Sequence, residues 1–164
     1  MLSLGLLLLA GCTGSNIGAV SGWSALAPAG GTVYVGTIEG EVVALDGQTG
    51  DVKWRFPSDP KERIGGVYGQ PVLQGQLLYV GAYNGKLYAL DKDTGAKQWQ
   101  FDTRGPIVGG PSIADGTLLV GSSDGLLYAL KAEDGTRLWT FKKAEGKIWS
   151  TPVVQGGNVY FGSM

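Results

Sequence analysis

Residues 77–102 read Leu77-Leu78-Tyr79-Val80-Gly81-Ala82-Tyr83-Asn84-Gly85-Lys86-Leu87-Tyr88-Ala89-Leu90-Asp91-Lys92-Asp93-Thr94-Gly95-Ala96-Lys97-Gln98-Trp99-Gln100-Phe101-Asp102. Short runs of aliphatic, β-branched and aromatic residues alternate with Asn-Gly and Asp/Thr-Gly punctuation, which is the pattern of strands joined by tight turns. The reading predicts strands over Leu77 to Tyr83, Lys86 to Asp91 and Lys97 to Asp102, with a fourth, Gln70 to Gln74, just upstream. Gly75 with Gln76, Asn84-Gly85 and Lys92 to Ala96 form the connections. Asn84-Gly85 suits a two-residue type I′ hairpin, whose central positions both need positive φ. No segment keeps a helical period.

The pattern recurs on both sides. Upstream it is Val33-Tyr34-Val35-Gly36, Gly40, Val43-Ala44-Leu45-Asp46, Thr49-Gly50 and Trp54-Arg55-Phe56. Downstream it is Leu118-Leu119-Val120-Gly121, Gly125, Leu127-Tyr128-Ala129-Leu130, Gly135 and Trp139-Thr140-Phe141, and Val159-Tyr160-Phe161-Gly162 opens a fourth copy. The first glycines, Gly36, Gly81, Gly121 and Gly162, are spaced by 45, 40 and 41 residues, and the extra length falls between units. Four-stranded antiparallel units at this period are the mark of a β-propeller. The expected fold is therefore all-β, a propeller of about three and a half blades. They span about residues 23–57, 68–102, 108–142 and, in part, 149–164. An unclosed ring leaves a bare sheet edge, so the expectation is an N-terminal piece of a seven- or eight-bladed protein that associates when expressed alone.

Composition narrows the chemistry. The chain has 29 glycines in 164 residues, spread as turn punctuation rather than in runs. Thirteen basic residues against fourteen acidic ones give a net charge of −1, with the basic residues scattered singly, so nucleic acid has no electrostatic footprint. There is no histidine and one cysteine. That removes an imidazole base, a Cys/His zinc site and an intrachain disulfide.

The first residues differ in kind from the rest. Leu4, Leu6, Leu7, Leu8 and Leu9 form an apolar run ending in Ala10-Gly11-Cys12, too short to span a bilayer and of the length of a signal-peptide core. Leu9-Ala10-Gly11-Cys12 resembles the lipobox of bacterial lipoproteins, in which the thiol is acylated and the peptide is cut just before it. Residues 1–11 are read as the signal peptide, Cys12 as the lipid attachment site and 12–22 as a tether of small polar residues that cannot offset their own ordering entropy. Met1-Leu2-Ser3 carries no lysine or arginine, so the start is read as truncated or miscalled. The plainer alternative is an apolar terminal strand with a buried cysteine.

Trp54, Trp99 and Trp139 each follow a turn glycine by four residues. A ring at one place in every unit is either a ligand cage or a wedge between sheets; the wedge is the better reading, because the indole area is large and its N–H needs only a backbone acceptor. Trp23 and Trp149 share a different slot, filled by Tyr68 and Val108 in the other units, at the start of the innermost strand. That slot is read as a hydrophobic plug or a recognition surface near the axis. Asp46, Asp91, Asp93, Asp124 and Asp134 sit in turns and are read as caps. Asp91-x-Asp93-x-Gly95 lacks the downstream glutamate of a calcium loop. Gly65-Gly66 and Gly109-Gly110 precede no helix and are read as close-approach glycines rather than a phosphate cradle.

Ala44-x-Asp46-x-x-x-Gly50-x-x-x-Trp54 and Ala89-x-Asp91-x-x-x-Gly95-x-x-x-Trp99 resemble the tryptophan-docking motif of pyrroloquinoline-quinone (PQQ)-type propeller repeats. Ala129, Gly135 and Trp139 form the third copy, with Lys131 at the aspartate position. The resemblance runs from about residue 23 to 164. The superfamily it implies holds quinone-dependent dehydrogenases, with a metal and a quinone at the propeller centre, and non-enzymatic envelope lipoproteins, some serving outer-membrane barrel assembly. The dehydrogenase branch implies metal carboxylates, an aspartate base and often a vicinal cysteine pair; the chain has no such pair. The expectation is a non-enzymatic propeller with no cofactor, metal or catalytic residue. It would be exported, lipid-anchored to a bacterial membrane and bound to a protein partner through its loops. A quinoprotein fragment and a surface propeller stacking sugars on Tyr68, Tyr83 or Trp149 are the alternatives. Cys12→Ser is expected to leave export intact and release the protein from the membrane fraction; unchanged membrane retention on fractionation counts against the anchor.

Overall fold

The computed structural model describes residues 24–59, 61–142 and 144–164. The leader, Cys12, the tether and Trp23 lie outside the described residues. Fourteen strands run in chain order among the described residues, with no helix between them. The first sheet is β1 (Ala27–Ala29), β2 (Thr32–Gly36), β3 (Val42–Asp46) and β4 (Val52–Phe56). The second is β5 (Val72–Gln74), β6 (Leu77–Gly81), β7 (Lys86–Asp91) and β8 (Lys97–Asp102). The third is β9 (Ser112–Ala114), β10 (Thr117–Gly121), β11 (Leu127–Lys131) and β12 (Arg137–Phe141). A fourth sheet holds β13 (Val153–Gln155) and β14 (Asn158–Tyr160). Each sheet is an antiparallel meander in sequence order. The architecture is an incomplete β-propeller of three full blades and a two-stranded fourth.

Alternation along the middle strands explains their unbroken apolar runs. Leu78, Val80, Tyr88 and Leu90 of the second sheet pack toward the first, with Val42, Ala44 and Trp54. Tyr79, Leu87 and Ala89 face the other way, onto Leu118, Val120, Tyr128 and Leu130 of the third. Side chains of period 2 between two covered faces must be apolar at every position. The outermost strands β4, β8 and β12 are mostly exposed and carry Lys, Arg and Gln between their inward residues. Charged and amide side chains there discourage edge-to-edge pairing.

The first glycine of each unit seats the following linker. Val67 lies against Gly36, Ile107 against Gly81 and Ile148 against Gly121, so closely that a Cβ on the glycine would overlap the side chain. A backbone bond fixes each contact: Val67 N–H to Thr37 C=O at 2.9 Å, Ile107 N–H to Ala82 C=O at 3.1 Å and Ile148 N–H to Ser122 C=O at 3.0 Å. Nearer the axis a Cβ on Gly110 would stand 2.6 Å from the Gln70 carbonyl oxygen. Gly109-Gly110 therefore permits close backbone approach between innermost strands.

The Asn84-Gly85 connection differs from the expected two-residue turn. The Gly85 N–H bonds the Ala82 carbonyl at 3.1 Å and the Ala82 N–H bonds the Lys86 carbonyl at 3.0 Å, and Gly85 alone in the loop has positive φ, at 82°. This is a three-residue loop, a type I turn followed by a left-handed glycine. Gly40 and Gly125 hold the same bonds to Thr37 and Ser122. The pattern with two successive positive-φ residues lies one hairpin earlier, at Gly30-Gly31, Asp115-Gly116 and Gly156-Gly157.

Gly81→Val forces a side chain into the space filled by Ile107. It is expected to lower the unfolding free energy by about 1–3 kcal/mol, the range for overpacking a dense core, read from the denaturant midpoint.

Candidate functional site: docking turns and an aromatic rim

The residues singled out in the sequence, the structural docking motif and the slot read as a plug or recognition surface, lie at different places on the blades. The first is the turn between the third and fourth strands. Asp46 Oδ1 accepts from the N–H groups of Gln48 (2.9 Å) and Thr49 (3.1 Å), and the Gly50 N–H closes on the Asp46 carbonyl at 2.8 Å. Asp91 Oδ1 accepts from the N–H groups of Asp93 (3.1 Å) and Thr94 (2.9 Å) and from the Thr94 hydroxyl (2.8 Å). In the third sheet Lys131 cannot cap; it pairs with Glu133 at 2.9 Å, and Asp134 Oδ1 instead accepts from the Thr136 N–H at 2.9 Å. These bonds hold the carboxyls below their ordinary range: the Gln48 amide foremost for Asp46, the Thr94 hydroxyl for Asp91 and the Thr136 amide for Asp134. Donors that favour the charged form depress a carboxyl pKa.

The turns of the second and third sheets each present a bare glycine to the preceding blade. A Cβ on Gly95 would stand 2.6 Å from Cε3 of Trp54, and one on Gly135 would stand 2.7 Å from Cε3 of Trp99. The indole N–H of Trp54 donates to the Lys92 carbonyl at 3.0 Å and that of Trp99 to the Glu133 carbonyl at 3.1 Å. Ala44 and Ala89 are the cross-strand neighbours of Trp54 and Trp99 and leave room for the rings. Ala129 faces Trp139 in the same way. Trp139 itself is 43% exposed.

A second donor in this interface went unrecognised in the sequence. The hydroxyls of Tyr34 and Tyr79 donate to the carbonyls of Lys92 (3.1 Å) and Ala132 (3.0 Å), and each ring centroid lies 5.8 Å from its tryptophan. Burial pushes both phenols above their ordinary pKa. The repeated second residue of Val-Tyr-Val-Gly and Leu-Tyr-Val-Gly was the available signal, and Leu119 breaks it in the third unit.

The second surface is the opposite rim, built from the three-residue hairpin loops and the segments leading into each innermost strand. Ile38 and Tyr83 occupy the same loop position and are exposed, as are Tyr68 and Trp149, while Val108 in the third unit is half-buried. Tyr68 and Tyr83 meet edge to face at 5.8 Å. The Trp149 N–H donates to the Ser123 hydroxyl at 2.8 Å, with the Lys147 ammonium 5.4 Å from its ring centre. Tyr128, buried beneath the rim, donates to Asp124 Oδ2 at 2.6 Å, and burial and that bond together push its phenol up. Asn84 donates its side-chain amide to Tyr88 in the matching place of the second blade.

Among the described residues the acidic side chains do not make the donor set of a metal-bound quinone. Among the described residues no three His, Cys, Asp or Glu side chains gather where a cation could bind. Asp46, Asp91, Asp124 and Asp134 accept bonds from their own turns, and the axis is approached by Gln70, Gly110 and Thr151, of which Thr151 accepts the Gly110 N–H at 2.9 Å.

Sheets fanned about an axis and stitched by indoles on glycine turns define a β-propeller of PQQ-type repeats. Residues 58–164 match the family model described as "Outer membrane protein assembly factor BamB", and the chain belongs to this family. It is similar to BamB from Moraxella catarrhalis, with 25% identity and a TM-score of 0.72 over 86% of this chain and 46% of that one. The chain thus spans under half the length of that relative. It is also similar to the quinohemoprotein alcohol dehydrogenase of Comamonas testosteroni, at 27% identity and a TM-score of 0.63 over 73% of this chain and 21% of that one. The computationally designed protein Ika4 shares the fold alone, at 15% identity and a TM-score of 0.74, covering 99% of this chain and 93% of that one. No curated protein matches the chain by sequence.

Trp54→Ala, which removes a ring only 9% exposed, is expected to cost about 3–5 kcal/mol of stability, as for large aromatics removed from a core. Trp139→Ala is expected to cost about 0.5 kcal/mol or less, as for surface positions. Equilibrium unfolding of the two variants checks the ranking.

Proposed function

We propose that this chain is part of an exported, lipid-anchored, non-enzymatic propeller that serves outer-membrane protein assembly as a protein-binding scaffold. The observation that carries the reading is the family match over residues 58–164, described as an outer-membrane assembly factor. Leu9-Ala10-Gly11-Cys12 supports the anchor, which places the protein on a bacterial membrane: the outer membrane facing the periplasm, or the outer face of the cell membrane. The partner surface is the rim carrying Ile38, Tyr68, Tyr83 and Trp149, since exposed aromatic side chains close together supply the anchors of protein interfaces. The opposite rim offers mainly Gly, Asp, Lys, Gln and Thr in its turns.

A second reading, a fragment of a quinone-dependent dehydrogenase, is favoured by the 27% identity to the Comamonas enzyme. The spent turn carboxylates count against it, and no step is assigned through a quinone.

The test is affinity purification of the lipidated protein from detergent-solubilised envelopes, with the co-purifying proteins identified. Recovery of outer-membrane assembly components, reduced about tenfold or more by Tyr83→Ser with Trp149→Ser, is the expected result. Absence of those components, together with a bound quinone chromophore after adding PQQ and calcium, overturns the scaffold reading in favour of the enzyme.

A further inference from the structure

Between the second and third blades lies a cleft of about 510 Å³, lined by Leu77 and Tyr79 of one and by Asp115, Gly116, Ala132 and Leu138 of the other. Both blades have all four strands, so the cleft belongs to a complete interface. It falls where the third unit departs from the repeat. At the first interface the positions equivalent to Gly116 and Ala132 are Gln76 and Lys92, whose side chains close on the turn: Gln76 donates to the carboxylates of Asp91 and Asp93, and the Lys92 ammonium meets Asp93 at 3.0 Å. Glycine and alanine leave that space open in the third unit. Just before the tryptophan the first two units carry Lys53 and Gln98, but the third carries Leu138, 52% exposed. At the tip of the inner hairpin Gly30, Gly75 and Gly156 take positive φ, whereas the third unit holds Asp115 there, at 47°, in a region that side chains disfavour. The charged side chains lining the cleft are paired except one. Lys131 meets Glu133 at 2.9 Å and Asp134 at 3.5 Å, while among the described residues no hydrogen bond or ion pair reaches the Asp115 carboxylate.

We propose that this cleft binds a small organic cation, an ammonium group carried on an apolar body. Its volume lies in the range of small-molecule sites, which combine an apolar lining with a few placed polar groups. The ammonium meets the Asp115 carboxylate, the one charge of the lining left without a counter-charge. The apolar body covers Leu77 and Leu138, taking out of water a leucine at the position where the other units have lysine or glutamine. An anion of the same shape is disfavoured, because it faces Asp115 while the Lys131 ammonium is held by two carboxylates. The role accounts for the backbone at Asp115: glycine closes the same turn in the other units, and a side chain held in the left-handed region points to function. The inference rests on the interface between two complete blades and is independent of the scaffold reading.

The test is a titration of the full chain with phenethylammonium, followed by backbone amide NMR shifts. Saturable shifts centred on Gly116, Ala132 and Leu138 are expected. Hydrocinnamate and phenethyl alcohol, of similar shape but of opposite or no charge, are expected to bind about threefold or more weakly, the scale of an exposed ion pair. Asp115→Asn keeps a residue that tolerates positive φ; it is expected to weaken the cation about threefold or more and to remove its advantage over the alcohol. Leu138→Gln, which installs the residue of the second unit, is expected to weaken cation and alcohol alike. Both changes lie at exposed positions, so an unchanged denaturant midpoint is expected to accompany the loss of binding. Equal binding of hydrocinnamate overturns the inference, as do unchanged affinity in Asp115→Asn, shifts spread over the whole surface, or failure to saturate.

Discussion

The contact on which the rest depends is an indole lying flat on a glycine of the next blade while its N–H reaches a carbonyl of the same turn. Trp54 on Gly95 and Trp99 on Gly135 meet three demands at once. A large apolar surface leaves water, the one polar atom of the ring is bonded, and the neighbouring turn is held by its own aspartate or threonine rather than by the ring. Because a four-stranded sheet cannot cover both of its faces alone, stability is shared between neighbours, as in other repeat proteins. Tyr34 and Tyr79 add a second donor to the same turns, so two side chains of one blade grip a few backbone atoms of the next.

Much of this was legible before any coordinates. The strands of the second unit lie where turn residues bound the apolar runs, and the indole wedge followed from a ring repeated at constant distance from a glycine. What stayed hidden depends on φ or on long-range partners. Asn84-Gly85 carries the residues of a two-residue hairpin but forms a three-residue loop, because the outer register pairs Gly81 with Leu87 and leaves five residues between them. Asp115-Gly116, with equally good chemistry, forms the turn that Asn84-Gly85 does not. The seating of Val67, Ile107 and Ile148 on Gly36, Gly81 and Gly121 was also invisible: a β-branched residue recurs at that position, but its partner glycine lies 26 to 31 residues earlier in the chain.

The two rims divide the labour of the fold. The rim of capped turns is taken up by blade-to-blade contacts, and its carboxylates already accept backbone hydrogens. The other rim carries the residues that differ from unit to unit: Ile38, Tyr83 and half-buried Ser123 share one loop position, and Tyr68, half-buried Val108 and Trp149 share another. Variation there costs the framework little, because the loop is closed by a glycine and two backbone bonds that do not involve those side chains. Varied surface side chains and a repeated framework thus coexist in one short unit.

A smaller irregularity recurs in all three full blades. The pairing of the third and fourth strands slips by one residue, between Ala44 and Leu45, Ala89 and Leu90, and Ala129 and Leu130. An extra residue on one strand sharpens the local right-handed twist, here just where the tryptophan strand leaves its partner to lean over the next blade. The residue skipped in the register, Lys53, Gln98 or Leu138, immediately precedes the tryptophan, so the added twist falls beside the ring that meets the next blade.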